Sequence, residues 1–169
     1  MENFIKAVSY CELIEVVDMD VPKTKIILAA DHAGFELKEK LKKFLQSNSI
    51  LFEDLSPKFV EDDDYPDVAF IAAQRVAKFK ELGVLVCGSG IGMCMAANKV
   101  KGIRAALAYD ESSARLSRQH NDANVLCIGG RTTDEKTAVT ILKTWLTTRF
   151  LEGRHSRRVD KIKRFEGGL

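Results

Sequence analysis

The chain has 169 residues, 46% hydrophobic and 30% charged, which suits one globular domain with a substantial core. Its 26 basic and 24 acidic residues leave a formal net charge of +2, so neither nucleic acid nor a membrane surface is an expected partner. No apolar run reaches membrane-spanning length, and four cysteines without CxxC or zinc-ligand spacing point to a reduced, cytoplasmic protein with no structural metal.

Residues 1–24 stand apart. Glu2, Lys6, Glu12 and Glu15 interrupt their apolar residues, unlike a secretory signal. Phe4, Val8, Cys11 and Ile14 could line a helical face, Leu13 to Val17 could equally be a strand, and Pro22 breaks what precedes it. An extension of uncertain structure is expected over 1–24 and a single domain over 25–169.

From Lys25 the pattern is regular. Lys25–Ala30 reads as a buried strand ending in Asp31-His32-Ala33-Gly34. Leu37, Leu41, Phe44 and Leu45 then recur at helical spacing among lysines and glutamates, as on an amphipathic surface helix. Ile50–Leu55 reads as a second strand, and the acidic run Glu61-Asp62-Asp63-Asp64 as a solvated loop before Tyr65-Pro66. Residues 67–80 form a second helix on the spacing of Val68, Ile71, Ala72 and Val76. Val84-Leu85-Val86-Cys87 is the third strand, and Met93–Lys99 carries good helix formers. Arg104–Tyr109 and Val125–Gly130 are the fourth and fifth strands, with a helix from Glu111 to Gln119 between them. Thr133-Asp134 can cap a long helix through Ala138, Ile141, Leu142 and Trp145. A basic segment, Gly153 to Arg158, precedes a last short helix to Phe165. Strands alternating with helices predict an α/β fold, a doubly wound, Rossmann-like parallel sheet of five strands.

The centre of the pattern is Cys87-Gly88-Ser89-Gly90-Ile91-Gly92. Three glycines at alternate positions let a backbone turn bring several N–H groups toward one anion, with a helix N-terminus behind them. A thiol at the strand end would face that positive helix end, which favours its thiolate. The bland alternative is an inert buried cysteine. The spacing is neither a dinucleotide fingerprint nor a P-loop, although Asp110 after the next strand could imitate a ribose-binding acid. In such folds ligands bind beyond the carboxyl ends of the strands. Asp31, His32, Cys87, Ser89 and Arg131 all fall there. With three histidines in polar contexts, the pattern points to a small anionic substrate.

Together, Asp31-His32-Ala33-Gly34, Asp64-Tyr65-Pro66, the Cys87–Gly92 loop, Ala96-Ala97-Asn98-Lys99, Ser117-Arg118-Gln119-His120-Asn121-Asp122 and Gly153-Arg154-His155 resemble type B ribose-5-phosphate isomerase. The motifs are collinear across residues 25–166. The resemblance implies a cofactor-free aldose–ketose isomerase of carbohydrate metabolism, in the pentose phosphate pathway, that works through an enediolate. It also implies a homodimer or dimer of dimers with sites at the subunit interface. By that resemblance Cys87 would be the base, Ser89 would move a proton between O1 and O2, and the N–H groups of Gly88, Ser89, Gly90, Ile91 and Gly92 would form an anion hole. His120, with Asp31, would open the sugar ring, the alternative for His120 being a plain helix-end residue. His32, Arg154 and Arg158 would grip phosphate, with Arg131 and His155 nearby and some of these donated by the neighbouring subunit. Tyr65 and Asn121 would contact the sugar. Some members carry a glutamate base after the last glycine of the loop. Met93 stands there in this chain, so it resembles the members that use the cysteine. A six-carbon sugar phosphate, or a sugar-phosphate- or nucleotide-binding protein without catalysis, are the competing readings.

Overall fold

The computed structural model describes residues 24–167. The extension expected over 1–24 lies outside the described residues, apart from Thr24. Five strands, β1 (Ile26–Ala30), β2 (Phe52–Asp54), β3 (Leu82–Cys87), β4 (Ala105–Leu107) and β5 (Val125–Gly129), form one parallel sheet in the order β2-β1-β3-β5-β4. Six helices alternate with and follow them: α1 (Phe35–Ser47), α2 (Tyr65–Phe79), α3 (Ile91–Ala97), α4 (Glu111–Asn121), α5 (Glu135–Thr147) and α6 (Arg154–Glu166). None is long and apolar enough to cross a membrane.

The strands read as unbroken apolar runs because both sheet faces are covered. On one face Ile26, Leu28, Val84, Val86, Leu126 and Ile128 pack against α1, α4 and α5, centred on the fully buried Trp145. On the other, Ile27, Ala29, Leu85 and Cys127 meet the small residues of α2 and α3. Alanines at 69, 72, 73, 96 and 97 let those two helices approach closely. The doubly wound expectation is the fold observed.

The structure departs from the sequence reading at two helix starts and one buried charge. Helix α2 starts at Tyr65, since Pro66 is pre-set for a first helical turn behind Asp64. Helix α6 starts at Arg154, so the basic segment is its first turn, not a lead-in to a short helix. Lys38 on α1, expected on a solvated face, is fully buried. Its ammonium bonds Asp54 at 3.0 and 3.2 Å and the Ser56 carbonyl at 2.6 Å, and Lys42 reaches Asp54 at 2.8 Å. Burial would raise the Asp54 carboxyl, but its bonds to Lys42 and Lys38 outweigh this and leave it below the ordinary range. The paired charges lock the end of β2 to α1.

At the sheet edge, Asn98 after α3 serves β4 with its side chain. Its amide donates to the Ala105 carbonyl at 2.9 Å, and its oxygen accepts from the Ala105 N–H at 2.9 Å.

Gly34, four residues past β1, lies against the backbone at the end of β3. A Cβ there would overlap the Val86 carbonyl and lie 2.8 Å from the Cys87 nitrogen. Gly34→Ala is therefore expected to cost about 3 kcal/mol, since backbone on both sides must shift. A denaturant midpoint unchanged from the parent's would contradict this.

Candidate active site

The strand order reverses between β1 and β3, and the carboxyl ends of these strands deliver Asp31 and Cys87 to one crevice. Turns then hold the loops together. The Asp31 N–H donates to the Val86 carbonyl at 3.3 Å, Gly130 N–H to the Cys87 carbonyl at 2.7 Å, and Arg131 N–H to the Gly88 carbonyl at 2.9 Å.

Cys87 is 4% exposed, and the Gly90 N–H points at its sulfur from 3.2 Å. Gly90 makes this possible with a left-handed backbone, φ 76°, as the residue that caps α3. The Ile91 N–H turns to the Ser89 hydroxyl at 3.3 Å. Two of the five amides expected to line an anion hole are thus already engaged, one of them with the thiol. Around the loop, a Cβ on Gly92 would strike the Tyr65 ring at 2.7 Å, and a Cβ on Gly88 would meet the Arg131 side chain at 3.6 Å. Tyr65 and Arg131 therefore flank the loop mouth.

Asp31 is 5% exposed and accepts the Gly34 N–H at 2.9 Å. Burial raises its carboxyl above the ordinary aspartate range, although the Gly34 N–H and the neighbouring His32 pull the other way. His32 is partly exposed and tied to Asp63, a residue the sequence reading left in a solvated acidic run. No local spacing marks Asp63 out from its neighbours. Only the path of the loop does.

The remaining candidates gather elsewhere. His120 and Asn121 end α4, and Arg154, His155 and Arg158 line the start of α6. The His120 and His155 rings stack with centroids 4.3 Å apart and planes 3° from parallel. His155 is buried, and its imidazole titrates below the ordinary range because of that burial, then because of His120, Arg154 and Arg158. A neutral His155 braces His120 from below. Helix α4 runs antiparallel to the strands, so this cluster lies at their amino ends. The Arg104 Nε donates to the Asn121 carbonyl at 3.0 Å, just before β4 begins. Cys87 pairs with Gly129 at the opposite end of β5 from Val125, about 13 Å along the strand. The chain therefore brings Asp31, His32, Tyr65, Cys87, Ser89 and Arg131 together, but not His120, Asn121, Arg154, His155 or Arg158 with them.

Asp110 does not reach toward a ligand. It caps α4, accepting the Ser113 N–H at 2.7 Å. Among the described residues no group of three or more His, Cys, Asp or Glu side chains could hold a metal ion.

Comparison with known proteins gives this arrangement its relatives. The model of the ribose/galactose isomerase family matches residues 26–162. The chain belongs to that family. It is 46% identical over 144 residues to a probable ribose-5-phosphate isomerase B of Mycoplasma genitalium, covering 83% of this chain and 95% of that protein. It is 40% identical over 143 residues to the ribose-5-phosphate isomerase B of Escherichia coli, covering 84% and 96%. The crystal structure of the M. genitalium ribose-5-phosphate isomerase B with bound ribulose-5-phosphate superposes with a TM-score of 0.83 at 44% identity, over 86% of this chain and 97% of that one. The family shares the five-stranded parallel fold seen here.

Proposed function

We propose that this chain interconverts ribose 5-phosphate and ribulose 5-phosphate without a cofactor, through an enediolate. The observation that carries the reading is the Cys87 sulfur at the strand-order reversal, supported by the Gly90 N–H and set beside Asp31. The Cys87 thiolate takes the proton from C2, the electron pair moves into a C1–C2 enediolate, and the thiol returns the proton to C1. Ser89 carries the hydroxyl proton between O1 and O2, while the amides at Ser89 and Gly92 flank the developing oxyanion. Asp31, whose carboxyl burial raises above the ordinary aspartate range, suits ring opening together with a histidine. Tyr65 against Gly92 narrows the mouth and favours a five-carbon chain.

His120, Arg154 and Arg158 reach that chemistry only from a second copy, since the length of the sheet separates them from Cys87 within one protomer. A symmetric dimer, alone or paired into a dimer of dimers, would set the amino-end cluster of each protomer over the crevice of the other. Exposed Tyr65, Ile91 and Met95 around the loop give the partner an apolar rim to cover.

The test is ketopentose formation from ribose 5-phosphate with EDTA present. Steady turnover is expected. Turnover of galactose or allose 6-phosphate alone would change the substrate, and inactivity on all three would leave a binding protein.

A further inference from the structure

The β2–α2 loop is held at three points before it reaches the crevice. The buried Lys38 ammonium takes the Ser56 carbonyl at 2.6 Å, and the Ser56 hydroxyl accepts the Ala30 N–H at 2.8 Å, one residue before Asp31. Phe59 packs edge-on against Phe35 at the start of α1, centroids 5.7 Å apart. Asp62 then adopts a left-handed backbone, φ 52°, which turns the chain back over β1. Asp63 alone of the acidic run is drawn in, its neighbours Glu61, Asp62 and Asp64 being more open to solvent or to the turn. One of its oxygens, Oδ1, accepts both the His32 N–H at 2.7 Å and the His32 ring Nδ1 at 3.0 Å.

We propose that Asp63 is a positioning residue that holds the His32 ring with Nδ1–H inward and Nε2–H outward, so that a cationic imidazole faces the phosphate of the substrate. This rests on the isomerase reading proposed above, in which the family resemblance gives His32 a phosphate-binding role.

The chemistry requires such a partner. A neutral imidazole has one N–H, and if Asp63 takes it at Nδ1, Nε2 is left as a lone pair that repels phosphate. Only the protonated ring donates at both nitrogens. The charged groups acting on the ring are Asp63 from the β2–α2 loop and Asp31 from its own loop, and both favour the cation. The bond to Asp63 is the largest influence and raises the imidazole above its ordinary range, against the smaller effect of burial. A raised value keeps the donor present as pH rises past the ordinary range, and the donor is lost only above the raised one. A phosphate monoester is mainly a dianion above pH of about 6. Asp63 therefore widens the window in which dianion and imidazolium coexist. With the ring between them, the Asp63 carboxylate does not face the phosphate.

Asp63→Asn keeps an acceptor for the His32 amide and ring but removes the charge. In the full chain with labelled histidine, NMR titration of His32, assigned by its loss in His32→Gln, is expected to show a lower midpoint in Asp63→Asn than in the parent. KM for ribose 5-phosphate is expected to rise about tenfold at pH 8, as for loss of one charge-assisted hydrogen bond, with little change at pH 6 or in kcat. In the His32→Gln background, Asp63→Asn should add nothing. Identical His32 midpoints in parent and variant, or a KM rise equal at both pH values, would overturn the proposal. Inorganic phosphate separates it from the isomerase reading. If the parent lacks turnover, phosphate should still shift the His32 signal at pH 8 in the parent and much less in Asp63→Asn. An equal response in both would sink the proposal.

Discussion

Cys87→Ala is expected to lower kcat for ribose 5-phosphate by about a thousandfold, the scale of a lost general base, with KM within about threefold of the parent. The split between the constants matters. The family resemblance gives phosphate grip to His32, Arg154 and Arg158 and not to the sulfur, so ground-state binding should survive. Cys87 is also buried at the end of β3 and accepts the Gly90 N–H, so alanine removes a structural acceptor as well as a base. Cys87→Ser separates the two effects. Serine restores an acceptor for Gly90, but its hydroxyl stays protonated at neutral pH and is a far poorer base. Cys87→Ser should therefore unfold at a denaturant concentration nearer the parent's than Cys87→Ala does, while both should be nearly inactive. Parent-like turnover in either would remove Cys87 from the reaction.

Mixing two dead variants should restore activity. His120→Asn alone is expected to lose about a hundredfold in kcat on ring-closed sugar. If each site takes Cys87 from one protomer and His120 from the other, a mixed dimer holds one site with both lesions and one site with neither. Equal amounts of Cys87→Ala and His120→Asn, exchanged through mild denaturant, should give half mixed dimers and about a quarter of parental turnover. Sites confined to one protomer would give no recovery at all. Taking each variant alone through the same denaturant step, with no gain in turnover, confirms that mixing, not refolding, is being scored.

Much of the architecture was legible because its signals are local. The apolar runs of β1, β3 and β5 report burial on both faces, and the glycines after Cys87 report a turn whose shape needs φ above zero at Gly90. The cap at Asp134 was visible as a helix start, whereas Asp110, weighed as a ribose-binding acid, is shown only by the structure to be committed to Ser113. What was not legible depends on how distant pieces meet. Lys38 looks like any surface lysine until β2 brings Asp54 beneath it. Asp63 looks like its neighbours until the loop folds back on His32. His155 was expected near the phosphate, and it is buried in a ring stack under His120. The division of the candidate residues between two ends of the sheet follows from helix direction, which composition and spacing do not display.

The Asn98 side chain at the border of the sheet bears on how this protein behaves in crowded solution. A parallel sheet that ends in a bare strand offers its backbone to any other strand, the route by which folded proteins accrete into aggregates. Here the last strand is only three residues long, and an asparagine amide already occupies the donor and acceptor of Ala105. The opposite border is equally short and studded with ion pairs, Glu53 to Lys25 and Arg75 and Asp54 to Lys38 and Lys42. Both margins are closed to strand addition, so self-association is steered away from the sheet and toward the helix and loop surfaces.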